Sequence, residues 1–255
     1  MTTRAPRPGE LTFLGTGEAF DQDLPNTSVL CCFGPTFLVD CGLGIPPRVW
    51  QVLSDPDQLD AVYLTHLHAD HVFGVPSVLF RLWEDGRRRP LAIMGPRGVE
   101  TYLSRLLHLA YRIKRADLPY PLNFMTAEPG GSLTYRGIRL SFARSKHSIP
   151  NLAVRFDWKG KGVVVSGDGS PTAATEQLFR GCSLLVHETY QDEVSEPVHA
   201  SLPSVIATAH RAGVKRLYLV HLSRRFRESA AARVEQYRPR AMQIRIARPG
   251  QIVRF

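Results

Sequence analysis

Four side chains that can bind a metal ion fall within six consecutive positions of this 255-residue chain: His66, His68, Asp70 and His71. On extended or turning backbone, His66 and His68 point to the same side. Asp70 and His71 then turn toward a neighbouring position as a helix begins. One loop can therefore supply two ligands to each of two metal ions. With 9 histidines in the whole chain, three of them beside an aspartate are poorly explained by chance.

A catalytic zinc site needs about four ligands per ion, with one position open to water, so this loop alone is too short of ligands. Three later residues stand at the ends of predicted strands, where ligands gather in sheets of this kind: His147, Asp168 and His221. Each of them alone suits a turn or a helix cap. Together with the loop they complete a site for two metal ions.

These motifs resemble the metallo-β-lactamase superfamily, whose signature is His-x-His-x-Asp-His. The resemblance extends from Leu11 to about Ser223. It implies two zinc ions, for which manganese or iron would be substitutes, since the same ligands accept several metals. It also implies two ligand sets that share one bridging carboxylate: His66, His68 and His147 for one ion, Asp70, His71 and His221 for the other, and Asp168 between them.

Within the superfamily the sequence is most similar to ribonuclease Z and its phosphodiesterase relatives. Residues 11–17, 25–28 and 37–42 resemble the N-terminus of that group. His187-Glu188-Thr189 resembles its His-Glu-Ala-Thr motif, and His199-Ala200-Ser201 resembles its His-Ser-Thr motif. The resemblance implies that Glu188 and His199 assist proton transfer beside the metals, while Asp70 also orients the nucleophile. Without it, Glu188 would be interpreted as a strand-end cap and His199 as part of a polar loop.

The resemblance implies attack of a metal-activated hydroxide on a phosphodiester, with His199 protonating the departing alkoxide. Only 20 residues separate His147 from Asp168. The long arm with which ribonuclease Z proteins grip tRNA is therefore absent from its usual place. The substrate stays open between a tRNA 3′ trailer and a smaller or cyclic phosphodiester. Two alternatives are a sulfatase- or lactonase-type hydrolase on the same two-metal site, and a metal-binding module without catalysis.

Hydrophobic periodicity and turn residues predict the elements that must position these side chains. Helices are expected over residues 47–53, 72–83, 98–112, 203–211 and 229–237. Strands are expected over residues 10–14, 28–33, 36–40, 59–65, 91–94, 132–135, 138–142, 152–156, 162–166, 184–187 and 217–220, with a terminal pair over 243–248 and 251–255. Strands interleaved with amphipathic helices and tight turns predict an αββα sandwich, an α/β fold with two mixed sheets between outer helices.

Composition gives expectations for the domain organisation, partners and location of the protein, and says less about its chemistry. We expect a frayed tail over residues 1–9 and a single domain over 10–255, because no linker or repeat divides the chain. The net charge of +9 suits an anionic substrate, tRNA included, and equally suits a basic soluble protein. No run of 18 apolar residues predicts a membrane span. Four cysteines without a regular framework favour the cytoplasm, and the resemblance adds a homodimer as an open alternative.

Overall fold

Within residues 5–193, 197–237 and 242–255, which the computed structural model describes, fourteen strands form two sheets. The first six strands and the last are β1 Glu10–Gly15, β2 Ser28–Cys32, β3 Thr36–Val39, β4 Ala61–Tyr63, β5 Leu91–Gly95, β6 Leu122–Thr126 and β14 Ile252–Arg254. The others are β7 Ser132–Tyr135, β8 Ile138–Arg144, β9 Leu152–Trp158, β10 Lys161–Val165, β11 Leu184–Glu188, β12 Arg216–Val220 and β13 Gln243–Ile246. The strand orders are β14-β1-β2-β3-β4-β5-β6 and β13-β12-β11-β10-β9-β8-β7.

Each sheet combines an antiparallel half with a parallel half. In the first sheet β3, β4, β5 and β6 run parallel, and in the second β10, β11, β12 and β13 do so. The described helices are α1 Pro46–Trp50, α2 Ala69–Val72, α3 Val75–Glu84, α4 Val99–Tyr111, α5 Ala173–Phe179, α6 Leu202–Arg211 and α7 Arg224–Tyr237.

Three apolar clusters hold four layers together. The largest lies between the sheets and contains the packed rings of Phe33, Phe37 and Phe156. A second cluster joins the first sheet to α1, α3 and α4, and a third joins the second sheet to α5, α6 and α7. Both sheets are thus covered on both faces, which explains their long apolar runs. The predicted αββα sandwich of two mixed sheets is confirmed.

Some element predictions were wrong. The helix expected over 72–83 begins only at Val75, as α3, and Val72 instead ends the separate helix α2, because the backbone at Gly74 packs against the loop after β3. The Gly74 N–H donates to the carbonyl of Cys41 at 2.8 Å, and a Cβ on Gly74 would meet the carbonyl of Gly42 at 2.2 Å. The last two strands do not pair with each other, since β13 and β14 belong to different sheets. Strand β6 and helix α5 were not predicted.

The chain ends pack onto the first sheet. Residues 1–4 of the predicted tail lie outside the described residues. Gly9 donates its N–H to the carbonyl of Cys32 at 2.8 Å and accepts the N–H of Phe255 at 2.9 Å. No helix in the described part of the chain has the length and apolar character that crossing a membrane requires.

Candidate metal centre

The predicted ligands lie at the carboxyl ends of strands from both sheets. His66 and His68 belong to the loop after β4, and Asp70 and His71 lie on the short helix α2 that follows it. Because α2 begins at Ala69, the side chains of the motif divide between an extended half and a helical half, as its spacing predicts. The remaining predicted ligands follow three strands of the second sheet: His147 after β8, Asp168 after β10 and His221 after β12.

Three histidine nitrogens converge in the first ligand set. Nε2 of His66 lies 3.2 Å from Nδ1 of His68, and Nε2 of His147 lies 3.1 Å from the same Nδ1. Bonds of 2.0–2.1 Å in tetrahedral geometry would place the ligand atoms of a zinc ion about 3.3 Å apart. Both of these separations match the edge of a metal-binding tetrahedron, and the ligand atoms of all three histidines lie within 4.8 Å of one another.

The second set combines two histidines with two carboxylates. Nε2 of His71 lies 3.1 Å from Oδ2 of Asp70, and Nε2 of His221 lies 3.4 Å from the same oxygen. Asp168 lies between the sets, with Oδ2 at 3.4 Å from Nε2 of His221 and at 3.9 Å from Nε2 of His66. Nε2 of His71 and Oδ1 of Asp168 are buried and have no hydrogen-bond partner among the described residues. Such orphaned groups, aimed at one point, fit a divalent metal site.

The negative charge of the carboxylates in the pocket also favours binding of cations. Burial opposes a charged imidazolium at His71, but the carboxylates of Asp168 and Asp40 outweigh it and raise the pKa of His71 well above its ordinary value. Burial likewise opposes charge on His221, and Asp168 raises the pKa of that residue to about 9. The carboxylates therefore carry negative charge that neutral imidazoles cannot balance. Either protons or metal ions must supply the positive charge, and they compete for the same nitrogens.

Asp40, to which the sequence analysis gave no role, orients His71. It follows β3 and is 1% exposed. Its Oδ2 lies 2.8 Å from Nδ1 of His71, and its two oxygens accept the N–H and the hydroxyl of Thr65 at 2.8 Å each. The carboxylate therefore holds the proton on Nδ1 and leaves Nε2 of His71 toward the pocket. An aspartate directly after an apolar strand, beside Cys41-Gly42, was the available sign of this role.

Asn151 was also missed, and it joins the loops that carry His147 and Asp168. Its side chain is fully buried. Nδ2 donates to the hydroxyl of Ser145 at 2.8 Å and to the carbonyl of Ser166 at 2.9 Å, while Oδ1 accepts the N–H of Asp168 at 3.1 Å. The Asn151 carboxamide thus fixes the distance between the loops that carry two predicted ligands, His147 and Asp168.

Glu188 and His199 form a hydrogen-bonded pair beside the ligand sets. Oε1 of Glu188 accepts Nδ1–H of His199 at 2.9 Å and the N–H of Gly169 at 2.5 Å. Burial opposes charge on His199, but the hydrogen bond that His199 donates to the Glu188 carboxylate outweighs it and raises the pKa of His199. The ring of His199 stacks on Tyr190, and one of its nitrogens lies within 4.8 Å of ligand atoms of His147 and Asp168. All nine residues that the sequence singled out therefore lie at one site.

A pocket of about 490 Å³ opens above the two ligand sets. Its lining includes six of the predicted site residues: His68, Asp70, His147, Asp168, His199 and His221. None of its lining residues in the described part of the chain is a lysine or an arginine. Positive charge facing an anionic substrate would therefore come from bound cations and from the histidines of the lining.

The fold and this site define a metallo-β-lactamase-fold protein with a centre suited to divalent metal ions. The family model of the Anti-Pycsar protein Apyc1 matches residues 9–240, and the chain belongs to that family and to the ribonuclease Z-like group of the metallo-β-lactamase superfamily. It is accordingly a metal-dependent hydrolase. The resemblance to the ribonuclease Z-like group is confirmed.

Curated relatives and solved structures are similar to nearly the whole chain. Ribonuclease Z of Mycobacterium bovis is 34% identical over 238 residues, covering 83% of this chain and 85% of its own. Ribonuclease Z of Methanothermobacter thermautotrophicus is 28% identical over 275 residues, covering 86% and 88%. Among solved structures, the metallo-β-lactamase fold protein YhfI of Bacillus subtilis has a TM-score of 0.80 at 20% identity, covering 97% of this chain and 99% of its own. Human tRNase Z, short form, has a TM-score of 0.78 at 22% identity, covering 96% and 98%.

Proposed function

We propose that this chain is a phosphodiesterase that binds two divalent metal ions and hydrolyses a small or cyclic phosphodiester. The observation that carries the proposal is the convergence of two ligand sets around Asp168 in one pocket. His66, His68 and His147 would hold one ion, and Asp70, His71 and His221 the other. Zinc is the first expectation for both ions, with manganese or iron as substitutes, because imidazole and carboxylate ligands accept all three metals.

When bound, the two ions would supply Lewis acidity and make hydroxide available near neutral pH. The side chains around them would orient the nucleophile and transfer the proton. Asp70 would orient the attacking oxygen, which forms a new bond to phosphorus while the bond to the leaving oxygen breaks. His199 would give its proton to that leaving oxygen. Glu188, which accepts Nδ1–H of His199 at 2.9 Å, would hold the imidazole in the orientation that this transfer needs.

The short connection between two ligands supports a small substrate. Residues 148–167, between His147 and Asp168, are used by β9, β10 and the turn at Lys159 and Gly160. No segment remains there that could extend from the body to grip a folded RNA. Cleavage of a tRNA 3′ trailer is the second candidate, and the 34% identity to a ribonuclease Z favours it.

A substrate panel tests the reaction class with zinc-loaded and manganese-loaded protein. It contains bis-p-nitrophenyl phosphate, a 3′,5′-cyclic nucleotide, an aryl sulfate, a lactone and a precursor tRNA. We expect turnover of the first two and little cleavage of the tRNA. Faster cleavage of the tRNA than of the cyclic nucleotide would favour the second candidate. Turnover of only the sulfate or the lactone, or of nothing, would contradict the phosphodiesterase.

The role of His199 is tested by its dependence on the leaving group. An alkoxide needs a proton as it departs, whereas p-nitrophenolate does not. His199→Ala should therefore lower kcat on the cyclic nucleotide by about 100-fold or more and change kcat on bis-p-nitrophenyl phosphate much less. Elemental analysis should find unchanged metal content. His210→Ala, at an exposed position on α6, is the control. Equal losses on both substrates would remove His199 from proton transfer.

A further inference from the structure

The position of His199 cannot be fixed by its hydrogen bond to Glu188 alone. That bond, of 2.9 Å, engages Nδ1 of His199, so Nε2 is the nitrogen that can give a proton to a substrate. A single hydrogen bond sets the distance between two atoms, but it leaves open the tilt of the imidazole plane and the place of the backbone. Both matter to a proton donor, because a misplacement of about 1 Å can cost about 100-fold in rate. Other contacts must therefore hold this residue.

Tyr190 restrains the plane of the His199 ring. The two rings stack with their centroids 4.5 Å apart and their planes at 26°. Tyr190 is the second residue after β11, which ends at Glu188, so one short segment supplies both the hydrogen-bond acceptor and the stacking ring. The Tyr190 carbonyl accepts the N–H of Ser223 at 2.9 Å, which fixes this segment to the chain after β12. Rotation of the imidazole would require it to leave the stack.

Ser170 restrains the backbone of His199. Its Oγ donates to the His199 carbonyl at 2.7 Å, and Nε2 of Gln191 donates to the same carbonyl at 3.2 Å. The N–H and carbonyl of Ser170 also form two hydrogen bonds of 3.0 Å with the backbone of Lys146, which directly precedes a predicted histidine ligand. Ser170 itself lies two positions after Asp168. This one residue therefore joins the segment of His199 to two loops that carry predicted ligands.

The residue before His199 makes a further contact with the first ligand set. The carbonyl of Val198 accepts Nδ1–H of His147 at 3.0 Å, which leaves Nε2 of His147 toward the pocket. The backbone of residues 198 and 199 is thus connected to the loops of both His147 and Asp168. The distance of His199 from the ligand sets depends on these backbone contacts, and the orientation of its ring depends on Tyr190.

We infer that Tyr190 and Ser170 are positioning residues for proton transfer by His199, with Tyr190 setting the plane of the ring and Ser170 setting its distance from the ligand sets. This inference rests on the proposed phosphodiesterase function and adds two residues to it. Ser170 does not line the pocket, whereas Tyr190 does. The experiments must therefore separate positioning from contact with the substrate.

Kinetics on two leaving groups test the inference first. Tyr190→Leu and Ser170→Ala should each lower kcat on the cyclic nucleotide by about tenfold, with KM and with kcat on bis-p-nitrophenyl phosphate changed less than about twofold, since only the alkoxide needs a proton. Tyr190→Phe keeps the stacking ring and should retain the wild-type kcat. The controls lie outside the pocket. Tyr111→Leu removes a ring that stacks on Phe80 at the same 4.5 Å, and Ser229→Ala removes a hydroxyl that donates to a backbone carbonyl of α7.

The same substitutions in a His199→Ala background distinguish positioning from an independent role. Residues that act through His199 should cause a further loss of less than about twofold once that side chain is absent. A further tenfold loss there would mean that Tyr190 or Ser170 acts on the substrate or the metals directly, and would overturn the inference. An equal loss in Tyr190→Phe and Tyr190→Leu would assign the effect to the hydroxyl and would overturn it as well.

Nuclear magnetic resonance separates this inference from the proposed function, because it needs no turnover. In zinc-loaded, ¹⁵N-labelled protein, the Nδ1 proton of His199 is assigned by its loss in His199→Ala. It should exchange with water faster in Tyr190→Leu and in Ser170→Ala than in wild type, and at the wild-type rate in Tyr190→Phe. If wild type hydrolyses neither diester but shows these exchange rates, the proposed function fails and the positioning of His199 stands. Wild-type exchange in both Tyr190→Leu and Ser170→Ala would overturn the positioning.

Discussion

Residues behind the predicted ligands hold those ligands in place through buried hydrogen bonds. Asp40 and Asn151 do not line the pocket, yet each fixes the position or protonation of a predicted ligand by hydrogen bonds in a buried, low-dielectric place. Hydrogen bonds of this kind commonly change metal affinity by 10- to 100-fold when they are lost. The ligand sets and their supports therefore form one network, which single substitutions can test.

The two ligand sets give different predictions for two alanine variants. His68→Ala removes one ligand from the first set only, so we expect loss of activity and of one metal ion per chain. Asp168→Ala removes the carboxylate between the sets, so we expect loss of activity and of both ions. Elemental analysis after dialysis measures this difference, and His108→Ala at an exposed position on α4 should keep both ions. Two ions retained by Asp168→Ala would contradict a bridging role.

Asn151 should act through the ligands it positions. Asn151→Leu keeps the volume but leaves the Asp168 N–H and the Ser166 carbonyl unpaired in a buried place, which costs about 1–3 kcal/mol for each group. We expect a destabilised protein and a metal affinity lower by about 10-fold or more. Competition with a chromophoric chelator measures the affinity, and the visible spectrum of the cobalt-loaded protein reports the ligand geometry.

A conservative variant separates positioning from folding. Asn151→Asp retains the oxygen that accepts the Asp168 N–H but loses both donated hydrogen bonds, so it should fall between wild type and Asn151→Leu in affinity. Asn123→Asp on the exposed edge strand β6 is the control. A cobalt spectrum identical to wild type in both Asn151 variants would mean that this side chain serves folding alone.

The metal-binding side chains could be predicted from the sequence, whereas the buried side chains that position them could not. His66 to His71 form a pattern that can be recognised without a structure, and His147, Asp168 and His221 follow strands that periodicity predicts. Asn151 has no such mark, because an asparagine before a strand most often belongs to a turn. Its role depends on the connection between β8 and β9, which carries Ser145, lying against the segment after β10, which carries Ser166 and Asp168. Only the folded chain supplies that information.

At the scale of elements, short segments determine where the site residues lie. Helix α5 spans seven residues and β6 is an edge strand with half-exposed side chains, so neither shows enough periodicity to be predicted. The break between α2 and α3 is equally hidden, because its cause is the contact of Gly74 with the distant loop at Gly42. The αββα layers could be predicted from long apolar runs, whereas α5, β6 and the break between α2 and α3 could not.

Gly42 should be required for the metal centre rather than for stability alone. A Cβ there would meet the backbone carbonyl of Asp70 at 2.1 Å, so Gly42→Ala must displace α2 and with it Asp70 and His71. We expect loss of the second metal ion and of activity. Gly34→Ala is the matched control, since Gly34 has a φ of 106° but open space around it. That variant should lose about 1–2 kcal/mol of stability and keep both ions. Full metal content in Gly42→Ala would contradict the argument.

At the scale of the molecule, the site lies where the two sheets meet. The loop after β4 and helix α2 bring four predicted ligands from the first sheet, and β8, β10 and β12 bring three from the second. The Leu152 N–H and the Thr65 carbonyl, 2.9 Å apart, already join the sheets at this edge. Metal ions bound by both sets would cross-link the sheets. The predicted cytoplasmic location and homodimer stay predictions, because they depend on surfaces and surroundings outside this site.

Removing the metal should therefore lower the stability of the whole fold. A ligand that binds only the folded chain, at 100 times its Kd, stabilises that chain by about 2.7 kcal/mol. For a protein of this size that corresponds to a rise in Tm of about 5–10 °C. Chelation should lower the Tm by this amount, and added zinc should restore it. In Asp168→Ala the Tm should respond to neither treatment, because the carboxylate that joins the sets is gone. An unchanged Tm in wild type, with elemental analysis showing both ions removed, would mean that the sheets hold together without the cross-link.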